Sequence, residues 1–93
     1  MFWLWWVGAA IAAAFVVAIV WDDILEWMQG EKVKDSAYGM LIKERLDNGN
    51  YRVVGGVFSK SGKVRAEQAW ESDELDDDLE EMFGSKKKIR VSI

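Results

Sequence analysis

Carboxylates are the only side chains in this sequence crowded enough to suggest chemistry. Ser72 to Phe83 reads SDELDDDLEEMF, with acids at Asp73, Glu74, Asp76, Asp77, Asp78, Glu80 and Glu81. Such a run invites a calcium site, since that ion is wrapped by six to eight oxygens, or a carboxylate pair for proton transfer. The spacing argues against both. Leu75, Leu79, Met82 and Phe83 recur at i, i+4, i+7 and i+8, the apolar stripe of an amphipathic helix. Carboxylates on the outer face of such a helix diverge, so a solvated charged surface explains them. Asp47-Asn48-Gly49-Asn50 resembles a calcium loop but lacks the remaining ligands and the closing glutamate, and a hairpin turn accounts for it.

Other chemistry is excluded by what is missing. The chain has no His, Cys or Pro. It therefore has no imidazole base, no thiolate nucleophile, no disulfide and no sulfur or imidazole ligand for a transition metal. Ser36, Ser59, Ser61, Ser72, Ser85 and Ser92 have no histidine to activate them, and no glycine-rich loop leads into a helix to cradle phosphate. The expectation is a protein that is not an enzyme and holds no cofactor or metal. The charge distribution excludes a nucleic-acid surface as well. Net charge is −4, with five acids against two bases from Asp22 to Asp35 and eleven acids against ten bases from Ser36 onward.

The elements that carry these residues begin with an uncharged run. Met1 to Trp21 reads MFWLWWVGAAIAAAFVVAIVW, and Asp22-Asp23 follows. About 20 apolar residues suffice to cross a bilayer as a helix. Trp3, Trp5 and Trp6 at one end, and Trp21 and Trp27 at the other, suit the membrane interface, where an indole is half apolar and half wet. Trp21, Ile24, Leu25 and Met28 extend the apolar side for another turn or two, and Gly30 is a natural stop. The sequence thus predicts a single-pass membrane protein with a transmembrane helix over residues 1–30, amphipathic at its end, and a polar linker over 31–36. Gly8 with Ala12, and Ala9 with Ala13, place small residues four apart, a spacing that lets spanning helices pack closely. No lysine or arginine precedes the run, and Lys32 and Lys34 follow it, which favours a cytoplasmic C-terminal domain.

Beyond the linker the period changes from helix to strand. Residues 37–46, 51–59 and 64–70 alternate as strands, separated by Asp47-Asn48-Gly49-Asn50 and Lys60-Ser61-Gly62-Lys63. Two-residue turns at Asn48-Gly49 and Ser61-Gly62 set Leu46 opposite Tyr51, Met40 opposite Val57, Val64 opposite Ser59 and Trp70 opposite Val53. One face then gathers Tyr38, Met40, Ile42, Leu46, Tyr51, Val53, Val57, Val64, Ala66 and Trp70. On the opposite, charged face, Leu41, Val54 and Phe58 form an apolar patch, a candidate partner surface, with Phe58 beside Gly39. The acidic helix, from Ser72 to Phe83, covers the apolar face. Ile89, Val91 and Ile93 make a fourth strand, parallel to the third and hence to the first, in spatial order 4-1-2-3 or else beside the third.

The fold class read here is α+β: an N-terminal transmembrane helix followed by a small βββαβ domain over 37–93, a four-stranded mixed sheet with one helix on one face. The expected function is that of an accessory or assembly subunit of a larger membrane complex. Its partners would be the lipid bilayer and other membrane-protein subunits or copies of itself. The alternative is a membrane-tethered ligand or cation sensor.

Overall fold

The computed structural model describes residues 13–93. They form a small α+β domain: a mixed five-stranded sheet with two helices. In chain order these are β1 (Ala13–Phe15), α1 (Trp21–Glu31), β2 (Ser36–Arg45), β3 (Tyr51–Ser59), β4 (Val64–Ser72), α2 (Asp77–Phe83) and β5 (Lys88–Val91). The sheet order is β1-β4-β3-β2-β5.

The expected helix over 1–30 is not what the described part of that segment forms. Ala13–Phe15 is a strand, parallel to β4, with Ala13 opposite Ala69 and Phe15 opposite Glu71. Ile19 then bridges Leu75, and only at Trp21 does a helix begin. An uninterrupted apolar run has no period of its own, so it suits a buried strand as well as a helix. Here the open edge of β4 offers backbone partners, and the sheet takes them. Among the described residues, no helix is long and apolar enough to cross a membrane.

The helix α1 keeps the amphipathic pattern of its sequence. Ile24 and Met28 are fully buried, Trp21, Leu25 and Trp27 are half-buried, and Asp22, Asp23 and Glu26 face solvent. Its N-terminus borrows a cap from elsewhere. The Trp21 amide donates to Asp76 Oδ2 at 3.2 Å, and the Asp76 amide donates to Ile19 O at 2.9 Å. One residue of the acid run thus ties the starts of both helices together, where the helix dipole favours negative charge.

Both helices lie on one face of the sheet. Ile24 and Met28 of α1, and Leu79 and Phe83 of α2, pack with Ile19, Leu41, Val53, Val57, Trp70 and Val91. The opposite face holds a second apolar cluster of Ile42, Val54, Phe58 and Ala69, with Ala13, Tyr38, Met40 and Val64 against it. Gly39 lets α1 approach β2. A Cβ there would lie 2.8 Å from Met28 Sδ and 3.0 Å from Val91 Cγ2. The methionine end can yield to one methyl, but a branched side chain also meets Val91. Gly39→Val is expected to cost about 2–3 kcal/mol through overpacking, a drop on the order of 10 °C in a circular-dichroism melt, with Gly39→Ala losing much less.

The hairpins correct the expected register. Both loops have three residues, not two. Gly49 N–H donates to Leu46 O at 2.9 Å while Leu46 N–H donates to Asn50 O at 2.8 Å, and Gly62 with Ser59 and Ser59 with Lys63 repeat the pattern. The glycine of each loop sits at positive φ, +89° at Gly49 and +87° at Gly62, where a Cβ would strain the backbone. The extra residue in the first loop puts Arg45 opposite Tyr51 and Gly39 opposite Val57, so every β2 side chain changes face. Leu41 therefore joins the helix-covered core, while Tyr38, Met40 and Ile42 turn to the other side. In the second hairpin a bulge at Arg65 absorbs the extra residue. Val64 pairs with Phe58 rather than Ser59, but Ala66 with Val57 and Trp70 with Val53 stand as expected.

The last strand lies beside β2, the spatial order expected, but runs antiparallel to it. The acidic segment explains the reversal. Its helix spans Asp77–Phe83 rather than Ser72–Phe83, because Ser72 still belongs to β4 and Leu75 is bridged to Ile19. Seven residues of helix rise only about 10 Å. Walking back along a nine-residue strand needs ~30 Å, whereas crossing three strand spacings needs ~14 Å. The connection therefore crosses the sheet's width and delivers β5 at the end where β4 finished.

Candidate functional site

Side chains that sequence singled out for contact are scattered by the fold. Trp3, Trp5, Trp6, Gly8, Ala9 and Ala12 lie outside the described residues. Ala13 is half-buried in β1 against the second cluster. Trp21 packs on the main core, and Trp27 meets Trp70 edge-on, with ring centroids 5.4 Å apart and planes at 83°. Core packing accounts for where both indoles sit.

The candidate partner surface of Leu41, Val54 and Phe58 is not a surface. All three are buried, at 0%, 1% and 0% exposure, and the changed β2 register puts Leu41 on the opposite face from the other two. Phe58 stacks on Tyr38 at 5.4 Å with planes 5° apart, and Arg90 closes over the far ring, its guanidinium 3.8 Å from the Tyr38 centroid. Phe58 pairs with Tyr38 and not with Gly39.

Apart from Val33, the exposed large apolar side chains among the described residues lie elsewhere, at the end of β1 and just beyond it. Phe15 is 77% exposed and Val17 is 90% exposed, with Val16 between them at 37%. Their backbone is fixed on β4 and the turn beyond it. Val16 N–H donates to Glu71 O at 3.0 Å, Ser72 Oγ donates to Val17 O at 2.8 Å, and Ile19 N–H donates to Glu74 O at 3.0 Å. Sequence reading missed this patch because it counted these residues among the helix. Their one distinguishing signal was that they follow the three alanines Ala12 to Ala14 of an uncharged run.

Nothing in the described residues assembles the acids into a site. Asp73, Glu74, Asp77, Asp78, Glu80 and Glu81 are exposed, and no group of three or more carboxylates is placed to hold an ion. A groove of about 730 Å³ runs between the end of α2 and β5, lined by Phe83, Lys86, Lys88, Ile89, Arg90 and Val91 among others. No carboxylate lines it, so it holds no acid–base pair. On β2, Lys43 Nζ lies 5.2 Å from the centroid of the Phe83 ring that lines this groove, and Arg45 both donates to Tyr51 Oη and covers its ring.

One carboxyl stands apart. Glu67, on β4 opposite Gly56, has Oε2 buried without a hydrogen-bond partner, and burial raises its pKa above the usual 4.5. The folded state therefore holds this proton more tightly than the unfolded chain does. The stabilisation it contributes is complete below pH 4.5 and is lost as pH rises through the folded-state pKa. Glu67→Gln is expected to raise the melting temperature at pH 7 by about 2–4 °C, a modest gain because the rest of the side chain reaches solvent. The difference should vanish below pH 4.5, where the native carboxyl is already neutral; melts across pH 4–8 check the sign.

Compared with family models, curated proteins and solved structures, the chain matches none.

Proposed function

We propose that this chain is a non-catalytic accessory or assembly subunit held at a membrane, its αβ domain presented at the bilayer surface to other membrane-protein subunits. The observation that carries the reading is continuity. A run of twenty-one residues without a charge, rich in tryptophan, itself contains Phe15 and Val17, which the folded domain leaves uncovered. A domain this small has little apolar surface to spare, so exposed Phe and Val on a rigid backbone mark a contact rather than an accident of packing.

The absence of an acid–base pair from the α2–β5 groove and the spread of the acid run over solvent-facing positions favour binding over catalysis. The test is extraction of the full chain from its native membrane in a mild detergent, followed by size analysis and identification of co-migrating chains. A stoichiometric set of other membrane proteins is the expected result. A chain that stays in the aqueous fraction overturns the reading. A lone monomer whose melting temperature climbs with calcium would replace it with the tethered sensor, since a ligand bound only by the folded state stabilises it.

A further inference from the structure

The run from Met1 to Trp21 is asked to do two things that cannot coexist. As a spanning helix it needs about 20 residues, and so it needs Ala13 to Val20. The domain already uses those residues: Ala13–Phe15 as β1, and Ile19, 1% exposed, in the main core beside Leu75. Removing them from the run leaves Met1 to Ala12, about 18 Å as a helix against a hydrocarbon core of about 30 Å. This run cannot supply both a span and the intact sheet.

We infer that Phe15, Val16 and Val17 form a membrane-insertion wedge, entering the interfacial layer of a neutral bilayer while the five-stranded domain stays folded. The inference rests on the membrane reading above and names the site and the lipid. Three features commit it to lipid rather than to a second copy of the chain. Among the described residues the backbone edge at this point is three residues long and ends at Phe15, so Val16 and Val17 offer a second strand no ladder. The patch continues an uncharged segment carrying Trp3, Trp5 and Trp6, residues that favour the bilayer interface. The hydrogen bonds from Val16, from Ser72 to Val17 and from Ile19 hold the apolar side chains outward, so no ordering is required on insertion. The exposed acids beside the patch, Asp73 and Glu74, select against anionic headgroups.

The chain has no cysteine, so Val17→Cys provides a single labelling site at a position already 90% exposed. The experiment labels it with an environment-sensitive fluorophore and mixes the full chain with phosphatidylcholine vesicles carrying spin-labelled lipid. Ser61→Cys, in the turn at the other end of the sheet, is the comparison site. The expected result is at least a twofold rise in emission at position 17, quenched more by a spin label near the headgroup than by one deep in the acyl chain, and no change at position 61. Replacing half the lipid with phosphatidylserine should not strengthen the signal. If the chain floats with vesicles while the label at 17 stays aqueous, the wedge is wrong and the membrane reading stands. If the chain does not float, both fail. Preferential quenching by the deep label overturns the wedge in favour of a spanning helix that has left the sheet.

Discussion

Replacing Phe58 by aspartate is expected to unfold the domain. Phe58 has no exposed surface, stacks on Tyr38 and lies among Ile42, Val54 and Ala69. The substitution removes a large apolar side chain and buries a carboxylate within an apolar cluster, two mechanisms that together exceed about 4 kcal/mol. Domains of this size have on the order of 5 kcal/mol to lose, so far-UV circular dichroism in a mild detergent at 25 °C should show most of the strand signal gone. Phe58→Leu should melt lower but remain folded. Val17→Asp, by contrast, should leave the fold within about 0.5 kcal/mol of the parent, since its site is open. A folded Phe58→Asp protein would return this residue to the surface that its sequence pattern suggested.

The second large effect is expected at Trp70. Its ring takes Trp27 of α1 edge-on and lies over Gly55, where an added Cβ would come within 3.0 Å of Cζ3. Trp70→Ala should cost about 3–5 kcal/mol, part cavity and part lost ring–ring contact. The readouts are the urea midpoint and the near-ultraviolet dichroism of the paired indoles. Because the ring occupies the space above a glycine, the two positions are coupled: Gly55→Val should destabilise the parent but partly refill the Trp70→Ala protein, recovering roughly 1 kcal/mol in a double-mutant cycle. Strict additivity would mean that the ring does not rest on Gly55.

These residues also show how far the sequence could be read. Every strand beyond Asp35 was legible from its period, and so was the buried side of α1, because Ile24 and Met28 repeat at helical spacing. Register was not. An Asn-Gly pair serves a two-residue loop and a three-residue loop equally, and the choice turns on which backbone groups close the loop. One residue of difference moved Leu41 under α1 and left Phe58 facing Tyr38 instead of Gly39. The pattern did not protest because β2 and β3 are apolar on both faces at mid-sheet, as Leu41 with Ile42 and Val53 with Val54 show. The direction of β5 was hidden in the length of α2, which depends on how long β4 continues. β1 was the least visible, three residues inside an apolar run whose pairing partner is at Ala69.

That pairing also orders events during synthesis. Ala13 and Ala69 are parallel neighbours in the finished sheet, yet they stand fifty-six positions apart along the chain. At roughly 5–20 residues per second, the apolar run exists for about 3–11 s before the strand that claims part of it has been made. Through that interval nothing in the nascent chain can shelter Ala13 to Val20, and a nearby bilayer has no competitor for them. On the membrane reading proposed above, where this segment ends up is then a matter of timing as well as of equilibrium: slowing translation through β4 would lengthen the membrane's opportunity, and release of a finished chain into water would give the sheet its own.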